Sequence, residues 1–162
     1  MKRITLQSNK CIGCRLCELV CSLRDKREFS PREACVSVVD DVKQSVIHAC
    51  LQCGHKMCMD GCLRKALEVD PTFGTIRVVN EKCDGCGKCV LACNNHAIQL
   101  VSPQGPVRVC DLCGGEPLCA SVCPTGAIVF QDVNDLKRRK RVETSHRLKD
   151  AWRCGSHGRT SR

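Results

Sequence analysis

Apolar and polar positions along this chain change over in short runs, and most of those runs read as strands. Residues 3–6 (Arg-Ile-Thr-Leu) predict a short strand that feeds a turn. Residues 34–39 and 45–48 predict two more. Residues 66–79 predict strand, turn, strand, with Asp70-Pro71 opening the turn and Gly74 supplying a positive-φ position. The pattern returns at residues 97–101 and 107–109 across Ser102-Pro103-Gln104-Gly105-Pro106, and again at Ala127-Ile128-Val129. Short helical turns are expected between strands, the first over residues 17–21, followed by a charged surface insertion over residues 22–31. The Ala-Leu and Ala-Ile pairs at 66–67, 97–98 and 127–128 are expected to be core. This is an internal repeat of strand, loop, short helix and strand used four times. From Asp132 the pattern changes. Leu136, Val142, Leu148 and Trp152 form a ragged helical stripe, Asn134 is a candidate cap, and residues 155–162 read as disordered.

The loops of the repeat carry the chemistry. Cys11, Cys14, Cys17 and Cys21 form a C-x2-C-x2-C-x3-C run, and Cys83, Cys86, Cys89 and Cys93 repeat it. Three thiolates at every third residue let one loop wrap three corners of a [4Fe–4S] cube. The fourth lies a helical turn further on, and in two-cluster ferredoxins it ligates the neighbouring cluster. Stretched versions occur at Cys50, Cys53, Cys58, Cys62 and at Cys110, Cys113, Cys119, Cys123. Zinc sites instead pair C-x2-C units across a long spacer, so the compact runs argue against zinc. The stretched runs alone would pass for zinc knuckles. Their C-x3-C endings and their alternation with compact runs predict four [4Fe–4S] clusters. Sixteen of the 18 cysteines are thereby used. Cys35 lies in a strand pattern and reads as a small buried hydrophobe, and Cys154 as a free thiol in the tail. The five histidines have no ligand spacing.

Composition agrees with a metal-stapled fold. In 162 residues there are three Phe, one Trp and no Tyr, too few bulky side chains for a large core. The apo-chain is therefore expected to be largely unfolded. A secreted disulfide scaffold is disfavoured because the cysteines cluster in tight quartets and no signal peptide is recognisable. The expected setting is reducing and cytoplasmic, and no apolar run is long enough to span a membrane. The formal charge of +9 counts every thiol as neutral. Residues 132–162 carry ten Lys/Arg and four Asp/Glu, a net +6, leaving +3 for residues 1–131. At −2 per loaded site, four clusters turn that +3 into about −5. The reading is an acidic body with little apolar surface and a basic arm, which serves as a docking arm or self-association element. Lys137 to Arg141 could bind nucleic acid, but no helix-turn-helix or aromatic platform accompanies them, so none is expected. No nucleophile–base pair, nucleotide loop or open metal position is visible. The chain reads as a wire that is not catalytic alone.

The order compact, stretched, compact, stretched resembles the four-cluster electron-transfer subunits of the dimethyl sulfoxide reductase type, across residues 1–131. The opening run with Ser22 and Glu28-Phe29-Ser30-Pro31, and Cys110-Asp111-Leu112-Cys113-Gly114-Gly115-Glu116-Pro117, look most like the small iron–sulfur subunits of tungsten-containing aldehyde oxidoreductases. The resemblance implies an α+β fold of two bacterial-ferredoxin-like modules over residues 1–131, motifs one and four in one and motifs two and three in the other. Residues 132–162 would then be a basic helical arm, partly disordered. It further implies that cluster one takes Cys11, Cys14, Cys17 and Cys123, and cluster two takes Cys21, Cys110, Cys113 and Cys119. Cluster three takes Cys50, Cys53, Cys58 and Cys93, and cluster four takes Cys62, Cys83, Cys86 and Cys89. Only Cys123 is followed by Pro, so Ser22, Leu63 and Asn94 offer three extra N–H groups near sulfur. The implied partners are a large tungsten or molybdenum catalytic subunit and a flavin- or ferredoxin-type redox protein. The alternatives are a free-standing ferredoxin-like carrier, a redox-sensing regulator, or the electron carrier of a carbon monoxide dehydrogenase, hydrogenase or formate dehydrogenase.

Overall fold

The computed structural model describes residues 2–26 and 29–155, apart from the side chains of residues 25, 26, 136 and 150–155. Expectations that fall on Glu28, on the Leu136, Trp152 and Cys154 side chains, or on residues 156–162 lie outside the described residues.

Among the described residues, short runs of β-branched and aliphatic residues make six strands: β1 (Lys2–Leu6), β2 (Val36–Asp40), β3 (Ser45–Ala49), β4 (Leu67–Val69), β5 (Ile76–Val78) and β6 (Ile128–Asp132). They form three two-stranded sheets, β1 with β6, β2 with β3, and β4 with β5. Four helices follow the cysteine loops: α1 (Leu16–Lys26), α2 (Met57–Asp60), α3 (Lys88–Leu91) and α4 (Leu118–Ser121). Helix α1 packs on α4, and α2 on α3. The chain is thus a small mixed helix-and-strand fold. It divides into a unit over Ile4–Phe130 and a second unit that holds the helix after β6.

Two small cores organise the first unit. Ile4, Val36, Val38, Ile47 and Ile128 gather around Cys17 and Cys119. Leu67, Ile76, Ile98 and Val107 gather around Cys58 and Cys89. Each repeat opens its core segment with an alanine that is at most 1% exposed: Ala34, Ala66, Ala97 and Ala127. No larger side chain fits a backbone packed that tightly. The expected Ala-Ile and Ala-Leu pairs are core, and Ala34-Cys35 is a fourth such pair.

The β4–β5 hairpin follows its turn chemistry. Asp70 Oδ1 accepts from the N–H groups of Thr72 and Phe73 at 2.8 and 3.1 Å, and Gly74 has φ +66°. The β2–β3 hairpin pairs Val36 with Ala49 through Asp40 with Ser45. It is tied to α1 by the buried Glu18, whose Oε1 accepts the Val38 N–H at 2.6 Å.

Several expectations need correction. Residues 97–101 and 107–109 do not form strands, only one bridge, Gln99 with Arg108. Pro103 and Pro106 lack the N–H groups that a longer ladder needs. The stretch after Cys21 is not all surface, since α1 continues and Ser22 is 1% exposed, its hydroxyl donating to Leu19 O at 3.0 Å. The body is not poor in exposed apolar side chains: Ile12, Leu63 and Leu91 are 67%, 74% and 86% exposed. In the second unit, helix α5 (Val133–Gly155) runs 23 residues, so Gly155 is helical. Its N-terminus is satisfied by Asp132, whose Oδ1 accepts the Asn134 N–H at 2.8 Å, and not by Asn134 itself. The Lys/Arg block favours helix intrinsically. Val142 and Leu148 of the predicted stripe are exposed.

Candidate iron–sulfur centres

Each cysteine loop is bent by a left-handed residue just before its second cysteine: Gly13 (φ +68°), Gln52 (+49°), Gly85 (+69°) and Leu112 (+58°). A second one follows three residues after the last cysteine of motifs two, three and four, at Lys65 (+51°), His96 (+48°) and Gly126 (+64°). Non-glycine residues in this region cost about 1–2 kcal/mol each. Their recurrence at equivalent places shows that the loops are over-determined. A left-handed residue beside a right-handed one can turn successive N–H groups to one side, an arrangement that suits an anionic body such as a thiolate-ligated cluster.

The fold brings together thiols from different motifs. One cavity is lined by Cys11, Cys14, Cys17 and Cys123. A second is lined by Cys50, Cys53, Cys58 and Cys93, and a third by Cys62, Cys83, Cys86 and Cys89. The fourth and largest is lined by Cys21, Cys110, Cys113 and Cys119, with Cys35 as a fifth thiol. In each, the last cysteine of one motif joins three of another. Burial pushes the Cys17, Cys50 and Cys89 thiols up to about 11 and Cys119 to about 12. Buried thiolates close together are costly without a cation; bound iron would supply that charge, with release of protons. At Cys123 burial acts upward too, but N–H donors at Thr125, Ala127 and Ile128 and the Thr125 hydroxyl outweigh it and lower the thiol.

Among the described residues, no three His, Cys, Asp or Glu side chains converge closely enough to hold a single metal ion. Zinc bonds of about 2.3 Å draw four sulfurs tightly around one point. The donor set, all sulfur, fits [4Fe–4S] chemistry.

Backbone donors reach the crossing cysteines. Ala66 N–H donates to Cys62 Sγ at 3.3 Å, Ala97 N–H to Cys93 Sγ at 3.5 Å, and Cys35 N–H to Cys21 Sγ at 3.3 Å. These donors lie four or more residues beyond the sulfur, not on Ser22, Leu63 and Asn94 as the missing prolines had suggested. The left-handed turn at Lys65 and at His96 brings each alanine N–H back onto the cysteine it follows. Arginines stitch the same crossings. Arg24 grips both carboxylate oxygens of Asp111 at 2.6 Å, and Arg64 Nε meets Asp84 Oδ2 at 3.1 Å. Those aspartates also shape their loops, accepting the N–H groups of Cys113 and Cys86 at 2.9 and 3.2 Å.

Gln52 of motif two is 2% exposed and donates from Nε2 to the Cys110 carbonyl of motif four at 2.6 Å. Burial pushes the Cys110 thiol up, and the nearby Cys50 thiol adds to the rise. Sequence reasoning missed Gln52, Cys35 and the arginine–aspartate pairs. Only the Cys-Asp pairs opening motifs three and four hinted at the last of these.

Residues 76–99 match the family described as "4Fe-4S binding domain". The chain is 40% identical over 121 residues to a Pyrococcus furiosus protein named "Aliphatic sulfonate oxidoreductase, polyferredoxin-like subunit", covering 74% of this chain and 70% of that one. It is 34% identical over 149 residues to the "Putative electron transport protein YsaA" of Escherichia coli K12, covering 85% and 94%. The "Electron transport protein HydN" of the same organism is 29% identical over 163 residues, covering 83% and 90%. This chain therefore belongs to the family of 4Fe–4S electron-transfer proteins that these relatives represent.

Proposed function

We propose that the chain relays electrons through four [4Fe–4S] clusters between a large catalytic subunit and a second redox protein. The observation that carries this reading is that the sixteen motif cysteines line four cavities, four of them at each, with one of every four drawn from a different motif. Cys11, Cys14, Cys17 and Cys123 hold cluster one; Cys21, Cys110, Cys113 and Cys119 hold cluster two. Cys50, Cys53, Cys58 and Cys93 hold cluster three; Cys62, Cys83, Cys86 and Cys89 hold cluster four. A cluster of this type takes up and gives back one electron without a bond being made or broken.

The crossings set an order. Clusters one and two share motifs, as do three and four, and Cys110 lies near Cys50, so the path runs one, two, three, four. At the two ends the thiols Cys14 and Cys86 are exposed. Apolar side chains sit in the same motifs, Ile12 in motif one and Leu91 in motif three, both largely exposed. Exposed apolar side chains at the ends of a wire suit transient docking of redox partners. Helix α5 and the residues after it form the arm that docks on an acidic surface of the catalytic subunit, or on the body of a second copy.

The catalytic subunit in this reading is a tungsten or molybdenum enzyme of the aldehyde-oxidising type, in a reducing, cytoplasmic setting. A relative named as a subunit of an oxidoreductase supports a subunit role. Relatives named simply as electron transport proteins favour the second reading, a free-standing carrier. Anaerobic co-isolation of the tagged full-length chain at low and high salt, with mass-spectrometric identification, separates the two. A stoichiometric large subunit is expected. A fully loaded chain that isolates alone at both salt concentrations overturns the subunit role in favour of the carrier.

A further inference from the structure

We propose that Asn95 tunes the site of Cys50, Cys53, Cys58 and Cys93: its side-chain amide donates a hydrogen bond to the Cys53 sulfur and raises the potential of the cluster held there. The proposal rests on the four-cluster reading above.

The repeat places this side chain. After the last cysteine of motifs two, three and four the backbone makes the same turn. The N–H three residues on donates to the cysteine carbonyl: Lys65 to Cys62 and His96 to Cys93 at 3.0 Å, and Gly126 to Cys123 at 3.3 Å. The third place of that turn is Arg64, Asn95 or Thr125, and each of these polar side chains reaches the site that its cysteine joins. Arg64 Nε meets Asp84 Oδ2 at 3.1 Å, and Asp84 Oδ1 accepts the Cys86 N–H at 3.2 Å. Thr125 Oγ1 lies 3.8 Å from Cys123 Sγ. Asn95 Nδ2 donates to Cys53 Sγ at 3.7 Å, across 42 residues of sequence. Motif one has Leu23 at this place, with no hydrogen to donate.

Asn95 is fastened to motif two by its main chain as well. Its carbonyl accepts from His48 Nδ1 at 3.4 Å. His48 lies in β3, which runs directly into Cys50. The residue lines the same cavity as Cys50, Cys53, Cys58 and Cys93. The amide is thus held in place at the site before any electron arrives. Its direction follows from chemistry: a ligand sulfur has lone pairs and no hydrogen, so the NH2 of the amide faces it and the oxygen does not. A bond from N–H to a charged sulfur is stronger than one between neutral groups. The added electron of the reduced state is shared with the ligand sulfurs. A donor fixed against one of them is worth more after reduction, which moves the potential upward.

The test is potentiometric titration, followed by electron paramagnetic resonance, of the anaerobically loaded full chain and of Asn95→Leu, Asn95→Ala and Asn95→Gln. Leucine keeps the size of the side chain and removes the donor. Glutamine keeps the amide. The expected result is a downward shift of one cluster in leucine and alanine, and a return toward the parent value in glutamine. The shift should be larger in leucine, because Cys53 is exposed and water replaces part of the lost bond in alanine. The signal that moves should be the one that Cys53→Ser perturbs, and the three Asn95 variants should retain about sixteen irons. Unchanged potentials in leucine and alanine would make Asn95 a turn residue and overturn the proposal. Equal falls in leucine and glutamine, or movement of a signal that Cys53→Ser leaves intact, would overturn it as well. So would a loss of about four irons in leucine and alanine alike, which would make Asn95 a residue for loading and not for tuning. A parent chain short of iron that keeps the Cys53 signal would count against the four-cluster reading alone, because Asn95 is still read on that signal.

Discussion

The guanidinium of Arg24 holds both carboxylate oxygens of Asp111 at 2.6 Å across 87 residues of sequence. Arg24 lies three residues beyond Cys21, and Asp111 follows Cys110. The pair therefore closes the site in which Cys21 joins a motif that is not its own. Arg64 and Asp84 do the same for Cys62 and Cys83 at 3.1 Å. The crossed ligation proposed above needs two distant loops held in register, and these pairs tie those loops together.

Arg24→Gln should therefore loosen the Cys21 site. Both partners are partly exposed, so the loss is on the order of 1 kcal/mol. The Arg24 guanidinium holds the Asp111 carboxyl below its ordinary value. A folded pKa that is depressed contributes stability above the unfolded value, and the contribution is lost as pH falls through the folded one. Denaturant midpoints of the cluster absorbance should differ between parent and variant by a constant amount from about pH 7 to 5, and the gap should shrink below that.

Cys11→Ala and Cys123→Ala should damage the same cluster although they lie at opposite ends of the first unit. Both thiols line one cavity. Electron paramagnetic resonance of the two variants should show loss of the same signal, with the other three retained.

Gly85→Ala should abolish the Cys62–Cys83–Cys86–Cys89 site. Its φ is +69°, and a Cβ there would meet the Gly105 carbonyl oxygen at 2.6 Å and Gln104 Cα at 2.9 Å, both main chain. Gly114 has the same φ with nothing within 4 Å, so Gly114→Ala carries only the backbone cost, about 1 kcal/mol. Iron analysis should give about twelve irons for the first variant and about sixteen for the second.

Removal of residues 133–162 should leave cluster absorbance unchanged and weaken assembly with the catalytic subunit. The cut falls after Asp132, because β6 extends to that residue. Quantitative co-isolation at rising salt checks it. Residual contacts that are ionic should fade faster in the truncated chain, since screening shortens from about 10 Å at 0.1 M to about 3 Å at 1 M salt.

Much of this was legible in the sequence because cysteine spacing is a local code. The four motifs, the β4–β5 hairpin with its Asp70 turn and the position of β1 all follow from residues within a few places of one another. What was not legible depends on distance. Cys35 read as a small hydrophobe, and it is buried, but its neighbour Cys21 is fourteen residues away across a charged insertion. Gln52 looked like loop filling until the fold set it against the Cys110 carbonyl. The 97–109 segment has a strand's apolar pattern, yet its two prolines leave one bridge. At α5 the helical stripe was visible, while its cap lay two residues earlier than the asparagine that drew attention.

The central claim is that sixteen cysteines hold four cubes. Iron and acid-labile sulfide should be counted together, with zinc, on the full chain isolated or reconstituted without oxygen. The account predicts about sixteen irons and sixteen sulfides per chain with zinc absent. Saturation near eight irons, or zinc in place of iron at the stretched motifs, would contradict it.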